Sequence, residues 1–439
     1  MKTNKIYRDS LIFGFAFFAV FFGAGNLIFP PSIGFVSGSD WPNALAGFAL
    51  TGIILPLLGL IAVLNAEGKF EVLTNPISPW FYKVYNSLCM LCIAMVVTVP
   101  RTAATTHEIG VHTLFPHFPA FGTMIIFFAL NYYFANDRSN MIDKVGKVLT
   151  PALLVILLFI VSKGTFDPIG TPIATKLPNS FSNAFTGAYQ TGDLFTGLLC
   201  ASVFIGAVIN KGYKDQANVR KVTINGTIIA GVGLLVVYGG LLYIGATGAG
   251  QFPKDIESTT LLTSLVDRLL GNYGTIFLAV AVTLACLTTA IGITASIADF
   301  LSHLTKNKVS YRIWVLFICI SGVSVGLLGV EKIINFALPL FLGLYPVSIV
   351  IVFLGVFRKY IPNAWAYKGA VLLTISVSLF ETLGAYGLDV KFANNFITMI
   401  PFSSKGFAWI LPAIIGFIGG ALLQRTMARK QETELDLSA

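Results

Sequence analysis

Residues 22–31 read Phe-Gly-Ala-Gly-Asn-Leu-Ile-Phe-Pro-Pro, and Gly23 sits at the midpoint of an apolar stretch covering 10–36. Glycine costs about 1 kcal/mol in a helix interior relative to alanine. Two glycines around Ala24, then Asn26 and the Pro30-Pro31 pair, predict an unwound turn in the middle of a helix. Such a turn exposes the positive N-terminal end of one half-helix and the negative C-terminal end of the other, each carrying roughly half a charge. Free N–H groups at Ala24 and Gly25 can dock a carboxylate, and carbonyls ahead of the turn can hold a cation. The competing reading is close packing, since glycine lets neighbouring helices approach.

Two other segments reach the middle of apolar stretches. Thr288 and Thr289, near the midpoint of 273–302, offer two adjacent hydroxyls. These are hard oxygen ligands for an ion, or donors to carbonyls one turn back along their own helix. Cys200, Ala201 and Ser202, at the midpoint of 192–210, are small residues that suit either a break or tight packing. Arg101 lies about six residues, and so about 9 Å, outward of the centre of 79–110. An arginine at that depth is a functional-site candidate with a partner to be found. Glu108, two turns further out, and Asp193 are the carboxylates available, either for an extracellular gate or for a static ion pair. No carboxylate is expected at the midplane of the central helices, which favours Na+ over a proton as coupling ion.

Catalytic patterns are missing from the sequence: it has no H-E-x-x-H, G-x-S-x-G or P-loop, and the four histidines are not in ligand spacing. Cys89-Met-Leu-Cys92 has the C-x-x-C form, but no second Cys or His pair accompanies it. No cofactor and no nucleic-acid partner is expected.

The elements that must position these residues follow from composition. Of 439 residues, 55% are hydrophobic and 11% charged, against roughly 25% charged in a soluble domain. Only a bilayer accommodates so much apolar side chain, at about 20 residues per crossing. Twelve apolar stretches are predicted: 10–36, 43–65, 79–110, 119–135, 146–162, 192–210, 222–247, 273–302, 310–328, 333–357, 363–386 and 407–424. The first is expected to be a retained helix, since no small-residue cleavage site precedes its loop. Placing the N-terminus inside puts 21 of the 29 Lys and Arg on the cytoplasmic side and 8 outside, as the positive-inside rule requires. Arg138, Lys144, Lys147 and Lys214 count as inner, and Lys176 as outer. Segment 257–270 is amphipathic and too short to cross, so it is expected to lie over the outer face.

Taken together, Phe22–Pro31, Pro100-Arg101-Thr102-Ala103 with Glu108-Ile109-Gly110, and Leu287-Thr288-Thr289-Ala290-Ile291-Gly292 resemble the bacterial branched-chain amino acid carriers of the leucine/isoleucine/valine:cation symporter family, along essentially the whole chain. The resemblance implies an all-α membrane protein with the leucine-transporter fold, about twelve transmembrane helices. Spans one to five (10–162) and six to ten (192–357) would form inverted repeats, and the last two (363–424) would be peripheral. It implies a symporter importing leucine, isoleucine and valine with Na+ by alternating access, multi-pass in the bacterial cytoplasmic membrane, both termini cytoplasmic, with no obligate protein partner. The substrate would meet Gly23, Ala24 and Gly25 of span one and Cys200, Ala201 and Ser202 of span six, with Asn26 facing either the substrate or a second cation. Na+ would take the carbonyls of Ala19 and Phe22 and the hydroxyls of Thr288 and Thr289. Span six departs from the pattern because Gly197-Leu-Leu-Cys200 lacks an obvious glycine-rich break. Proton coupling or another small neutral amino acid is the alternative within the fold, and a membrane-embedded enzyme or sensor the alternative outside it.

Overall fold

A computed structural model describes residues 2–136, 150–175, 177–213, 215–388 and 391–436. Arg138, Lys144, Lys147, Lys176 and Lys214, and the start of the predicted 146–162 stretch, lie outside the described residues. Apart from one isolated bridge between Gly38 and Ala174, regular structure among the described residues is helical.

The chain opens with α1 (Lys2–Phe21) and α2 (Ala24–Ser37), two halves of one apolar segment bent by 69° at Phe22-Gly23. Next come α3 (Trp41–Asn65) and α4 (Pro79–Leu114). Both contain wide π turns, at Leu50–Ile54 in α3 and at Cys89–Thr98 and Thr106–Val111 in α4. The helices α5 (Ala120–Ala135), α6 (Thr150–Phe166) and the short α7 (Ser180–Gly187) follow. A second bent pair, α8 (Asp193–Leu199) and α9 (Ala201–Asn210), turns by 44° at Cys200. The remainder is α10 (Gln216–Thr247), α11 (Ser258–Leu304), α12 (Tyr311–Gly326), α13 (Val330–Val356), α14 (Ala364–Ala385), α15 (Lys391–Met399) and α16 (Ile410–Asp436).

Each predicted apolar stretch falls on one of these helices or bent pairs. Among the described residues, seven helices are long and apolar enough to cross a bilayer, and nine if each bent pair is one crossing. The helices α5 and α12 have 16 residues each. At 1.5 Å per residue they rise only about 24 Å, short of the ~30 Å hydrocarbon core. Helix length alone therefore does not fix the count at twelve.

Burial separates centre from rim. The most apolar windows of α4 and α11 are 71% and 72% buried, against 28% and 11% for α14 and α16. These last two pack on each other where glycines remove side chains. A Cβ at Gly369 would run into the Gly416 backbone, and one at Gly420 into the Trp365 carbonyl. The Gly416-x-x-x-Gly420 pair is thus used inside the chain. At the centre, the bent pair α1–α2 leans along α10, with Gly245 against the Pro31 carbonyl.

Gly271, at φ 59° and ψ −152°, divides α11. The part before it buries Leu261, Leu262, Leu265, Val266 and Leu269. Their three-to-four-residue spacing makes one apolar face, as the amphipathic pattern predicts.

Candidate functional site

In a continuous helix the N–H groups of Gly23, Ala24, Gly25 and Asn26 would bond the carbonyls of Ala19, Val20, Phe21 and Phe22. The bend at Gly23 undoes this. The Gly23 N–H turns to the Phe21 carbonyl at 3.0 Å and the Asn26 N–H to the Gly23 carbonyl at 3.1 Å. Those of Ala24 and Gly25 bond no acceptor among the described residues. Gly23 has an extended backbone (φ −111°, ψ −164°) that any residue adopts; its need for hydrogen comes from Thr289, whose Cγ2 would lie 2.9 Å from an added Cβ.

The released carbonyls find donors on α11. Thr289 Oγ1 donates to Ala19 O at 3.0 Å and Val20 O at 3.2 Å; Thr288 Oγ1 donates to Ala19 O at 3.3 Å and to Ala285 O of its own helix at 3.0 Å. Thr288 and Thr289 therefore meet α1 as well as back-bonding. Of the two expected carbonyls, Ala19 is part of this cluster. The second that the hydroxyls reach is Val20 rather than Phe22, because Thr289 lies below Gly23, beside the last turn of α1. Four hard oxygens, two hydroxyls and two carbonyls, converge at the negative end of α1. Their chemistry suits an alkali cation.

On the other side of the break, Asn26 is 1% exposed. Its Nδ2 donates to the Phe21 carbonyl at 2.8 Å, to Asp193 Oδ2 at 2.7 Å, and to the Tyr238 hydroxyl. Tyr238 in turn donates to Asp193 Oδ2 at 3.4 Å. Asp193, one of the carboxylates considered for an extracellular gate, is only 2% exposed. The expectation of no deep carboxylate is thereby corrected. The connection after α6 folds back into the core through α7 and the 3-10 turn Ala188–Thr191, and Gly192 in the left-handed region (φ 77°) starts α8 at depth rather than at the surface.

Arg101, 1% exposed, donates from Nη1 to Gln190 O at 2.7 Å and from Nη2 to Thr191 O at 3.3 Å, and stacks over Phe29 with 5.6 Å to the ring centroid. It therefore clamps the turn that delivers Asp193. Its Nε bonds nothing among the described residues. Glu108 is not its partner. The Glu108 carboxylate instead accepts the Val330 N–H at 2.8 Å, satisfying the first turn of α13; two further turns along α4 carry it to that helix end and away from Arg101.

Two small cavities adjoin these groups. One, about 10 Å³, is lined by Gly23, Ala24, Gly25, Asn26, Arg101 and Asp193, with Thr98, Thr196 and Thr289 among its other walls. The second, also about 10 Å³, shares Thr98 and Thr196 and is otherwise mostly apolar, with Met90, Ala94, Phe195, Leu199, Cys200 and Ile293. All these residues are buried. Cys200 thus reaches the apolar space, and Ala201 lines a third cavity with Phe17 and Phe204. Ser202 lines none of these three: two residues on from Cys200 is some 200° round a helix, the opposite face.

The break in α8–α9 forms without the glycine-rich turn that Gly197-Leu-Leu-Cys200 lacks in the sequence. Cys200 itself stays bonded, its N–H to Thr196 O at 3.0 Å and its carbonyl accepting from Phe204 at 3.2 Å, while the N–H groups of Ala201 and Ser202 bond no acceptor among the described residues. Gly197 serves packing instead: a Cβ there would strike the Pro56 carbonyl of α3. Tyr238, Thr98, Thr191 and Thr196 were not foreseen as site residues. The hydroxyl of Tyr238, near the middle of the 222–247 stretch, was the one available signal.

Two broken helices lying against enclosed cavities in a nearly all-helical, apolar bundle are the build of a membrane transporter. Solved transporters share the overall fold. Mhp1, a nucleobase-cation-symport-1 family transporter in a closed conformation with bromovinylhydantoin bound, superposes with a TM-score of 0.63 at 14% identity, covering 96% of this chain and 93% of that one. A Na+-coupled sialic acid symporter in a substrate-bound outward-open state gives 0.59 at 13% identity, covering 94% and 89%. The fold is leucine-transporter-like. The family described as branched-chain amino acid transport protein matches residues 6–427, and the chain belongs to that family. The Bacillus subtilis branched-chain amino acid permeases BraB and BrnQ are 32% and 33% identical, covering 96% and 94% of this chain and 97% and 96% of their own. The Pseudomonas aeruginosa branched-chain amino acid transport system 2 carrier is 30% identical, covering 97% of this chain and 98% of its own.

Proposed function

We propose that the protein is a secondary active symporter that imports leucine, isoleucine and valine with Na+ by alternating access. It would sit in the bacterial cytoplasmic membrane with both termini inside. The observation that carries the reading is the pair of adjoining cavities. The polar one presents the unbonded N–H groups of Ala24 and Gly25 to an α-carboxylate, and the apolar one offers a branched side chain Met90, Phe195, Leu199 and Ile293 across Thr98 and Thr196. Na+ would enter between Ala19 O, Val20 O and the hydroxyls of Thr288 and Thr289, with Phe22 O as a further released carbonyl. Residues 10–162 and 192–357 would be inverted repeats, each opening on one of the bent pairs, with 363–424 outside them. The names of the relatives support the substrate class.

A second reading keeps the fold and the substrate but couples to protons. What favours it is Asp193, a buried carboxylate bonded to Asn26 at the helix break. Uptake of labelled leucine into proteoliposomes under an imposed Na+ or H+ gradient separates the two. Accumulation driven by Na+ at symmetric pH is the expected result; accumulation that follows the pH gradient and ignores Na+ would remove the ion site. Absence of leucine uptake under either gradient would sink the symporter reading itself.

A further inference from the structure

Resting on that reading, we propose that Asp193 is the counter-ion of the substrate's α-ammonium group, so that the polar cavity is a receptor for both charges of a zwitterion.

The cavity has two charged walls that make no direct salt bridge to each other. Among the described residues, no ion pair within 4.0 Å joins Arg101 to Asp193. On the cationic wall, Arg101 Nε bonds nothing, and Arg101 Nη2 lies 3.0 Å from where a Cβ of Gly25 would be. A guanidinium there faces the positive N-terminal end of α2, where Ala24 and Gly25 also hold unbonded N–H groups. Positive meets positive, an arrangement that an anion relieves. On the anionic wall, Asn26 and Tyr238 donate to Asp193 Oδ2, and the Asp193 carboxylate borders the cavity. A carboxylate set against Ala24, Gly25 and Arg101, with an ammonium on the Asp193 carboxylate, supplies an opposite charge to both walls in one molecule. Asn26 is then a positioning residue: bonded to Phe21 on one half of the broken helix and to Asp193 on α8, it fixes the distance between the two walls.

The test is equilibrium binding of labelled leucine to the purified full-length protein. The competitors are isocaproate, which is leucine without its amino group, and isoamylamine, which lacks the carboxylate. Wild-type protein should bind isocaproate at least about 100-fold more weakly than leucine, because a site built to bond a polar group rejects the analogue lacking it. Asp193→Asn should lose leucine affinity by a similar factor while its affinity for isocaproate stays close to wild type, so the discrimination collapses. Wild-type protein that binds isocaproate as tightly as leucine overturns the assignment without any variant. So does Asp193→Asn protein that keeps leucine binding and leucine counterflow but loses proton-driven accumulation, which would make Asp193 a proton carrier. If wild-type protein binds no leucine at all, the proposed function fails, and this assignment with it.

Discussion

The two bent pairs differ in what bends them. Between α1 and α2 the chain turns by 69°, and between α8 and α9 by 44°. The first turn releases Ala19, Val20 and Phe22 carbonyls and two N–H groups, all next to residues that use or face them. The second keeps the N–H and carbonyl of Cys200 bonded as in a helix and frees only the N–H groups of Ala201 and Ser202, beside a mostly apolar cavity. Local composition makes the first break: glycines flank Ala24, and proline follows. The second is imposed from outside, by the Gly192 turn that starts α8 at depth, by Arg101 holding Gln190 and Thr191, and by Gly197 seated on the Pro56 carbonyl. One break carries polar chemistry and the other shapes an apolar wall. That division of labour matches a substrate with a charged head and a branched tail.

The sharpest way to break this comparison is to fill the first turn. In Gly25→Val, the added Cβ would lie 3.0 Å from Arg101 Nη2 and 3.2 Å from both Phe29 Cε2 and Thr191 Cα. The γ-methyls would occupy the space proposed for the carboxylate. Leucine binding should fall by at least about 100-fold, more than 2.7 kcal/mol, with membrane yield retained. Near-normal leucine affinity would mean that the head group binds elsewhere.

A middling effect is expected at the ion cluster. Thr289→Val and Thr288→Val each delete a hydroxyl without adding bulk, and each should raise the Na+ concentration for half-maximal uptake by roughly tenfold, about 1.4 kcal/mol. Thr289 bonds only carbonyls of α1, whereas Thr288 divides its bonds between α1 and Ala285, so the Thr289 change should be the larger. Coupling is reciprocal, and leucine affinity at subsaturating Na+ should fall in the same order. Wild-type Na+ dependence in both would leave the hydroxyls as helix-to-helix hydrogen bonds only.

The same contrast explains what could be read before the structure. Gly23, Gly25 and Asn26 announce their break because glycine and asparagine act through their own backbone and side chain, and Thr288 and Thr289 follow from counting residues into an apolar stretch. The depth of Asp193 could not be counted that way. It depends on residues 180–192 folding back into the core, which is a property of tertiary packing rather than of hydropathy. Glu108 looked like a partner for Arg101 because both sit on one helix, yet its carboxylate is committed to Val330 on another. Pairing across helices is invisible to spacing within one.

A smaller effect tests whether the pocket is shared. One methylene in an apolar site is worth about 1–3 kcal/mol, and no polar group lies in the second cavity to tell branch positions apart beyond Thr98, Thr196 and Ser296. Leucine, isoleucine and valine should therefore inhibit one another's uptake competitively. Uptake of one that is untouched by excess of the other two would require separate sites.

The smallest effect is expected at Cys200, and it bears on the cause of the second break. Alanine has the best intrinsic helix propensity. If Cys200 itself bent the chain, Cys200→Ala would favour a straight helix, move α9 relative to α8, and abolish transport. If the bend comes from Gly192, Arg101 and Gly197, the turn survives and only the contact of one sulfur with the apolar cavity is lost. Losing a contact of about one methylene's size costs about 0.8 kcal/mol, so the KM for leucine should rise by roughly fourfold with kcat little changed. Valine, whose shorter side chain makes less use of the far wall, should be affected less than leucine. Measured together, the two KM ratios separate a missing contact from a straightened helix, because straightening would impair both substrates alike and kcat with them.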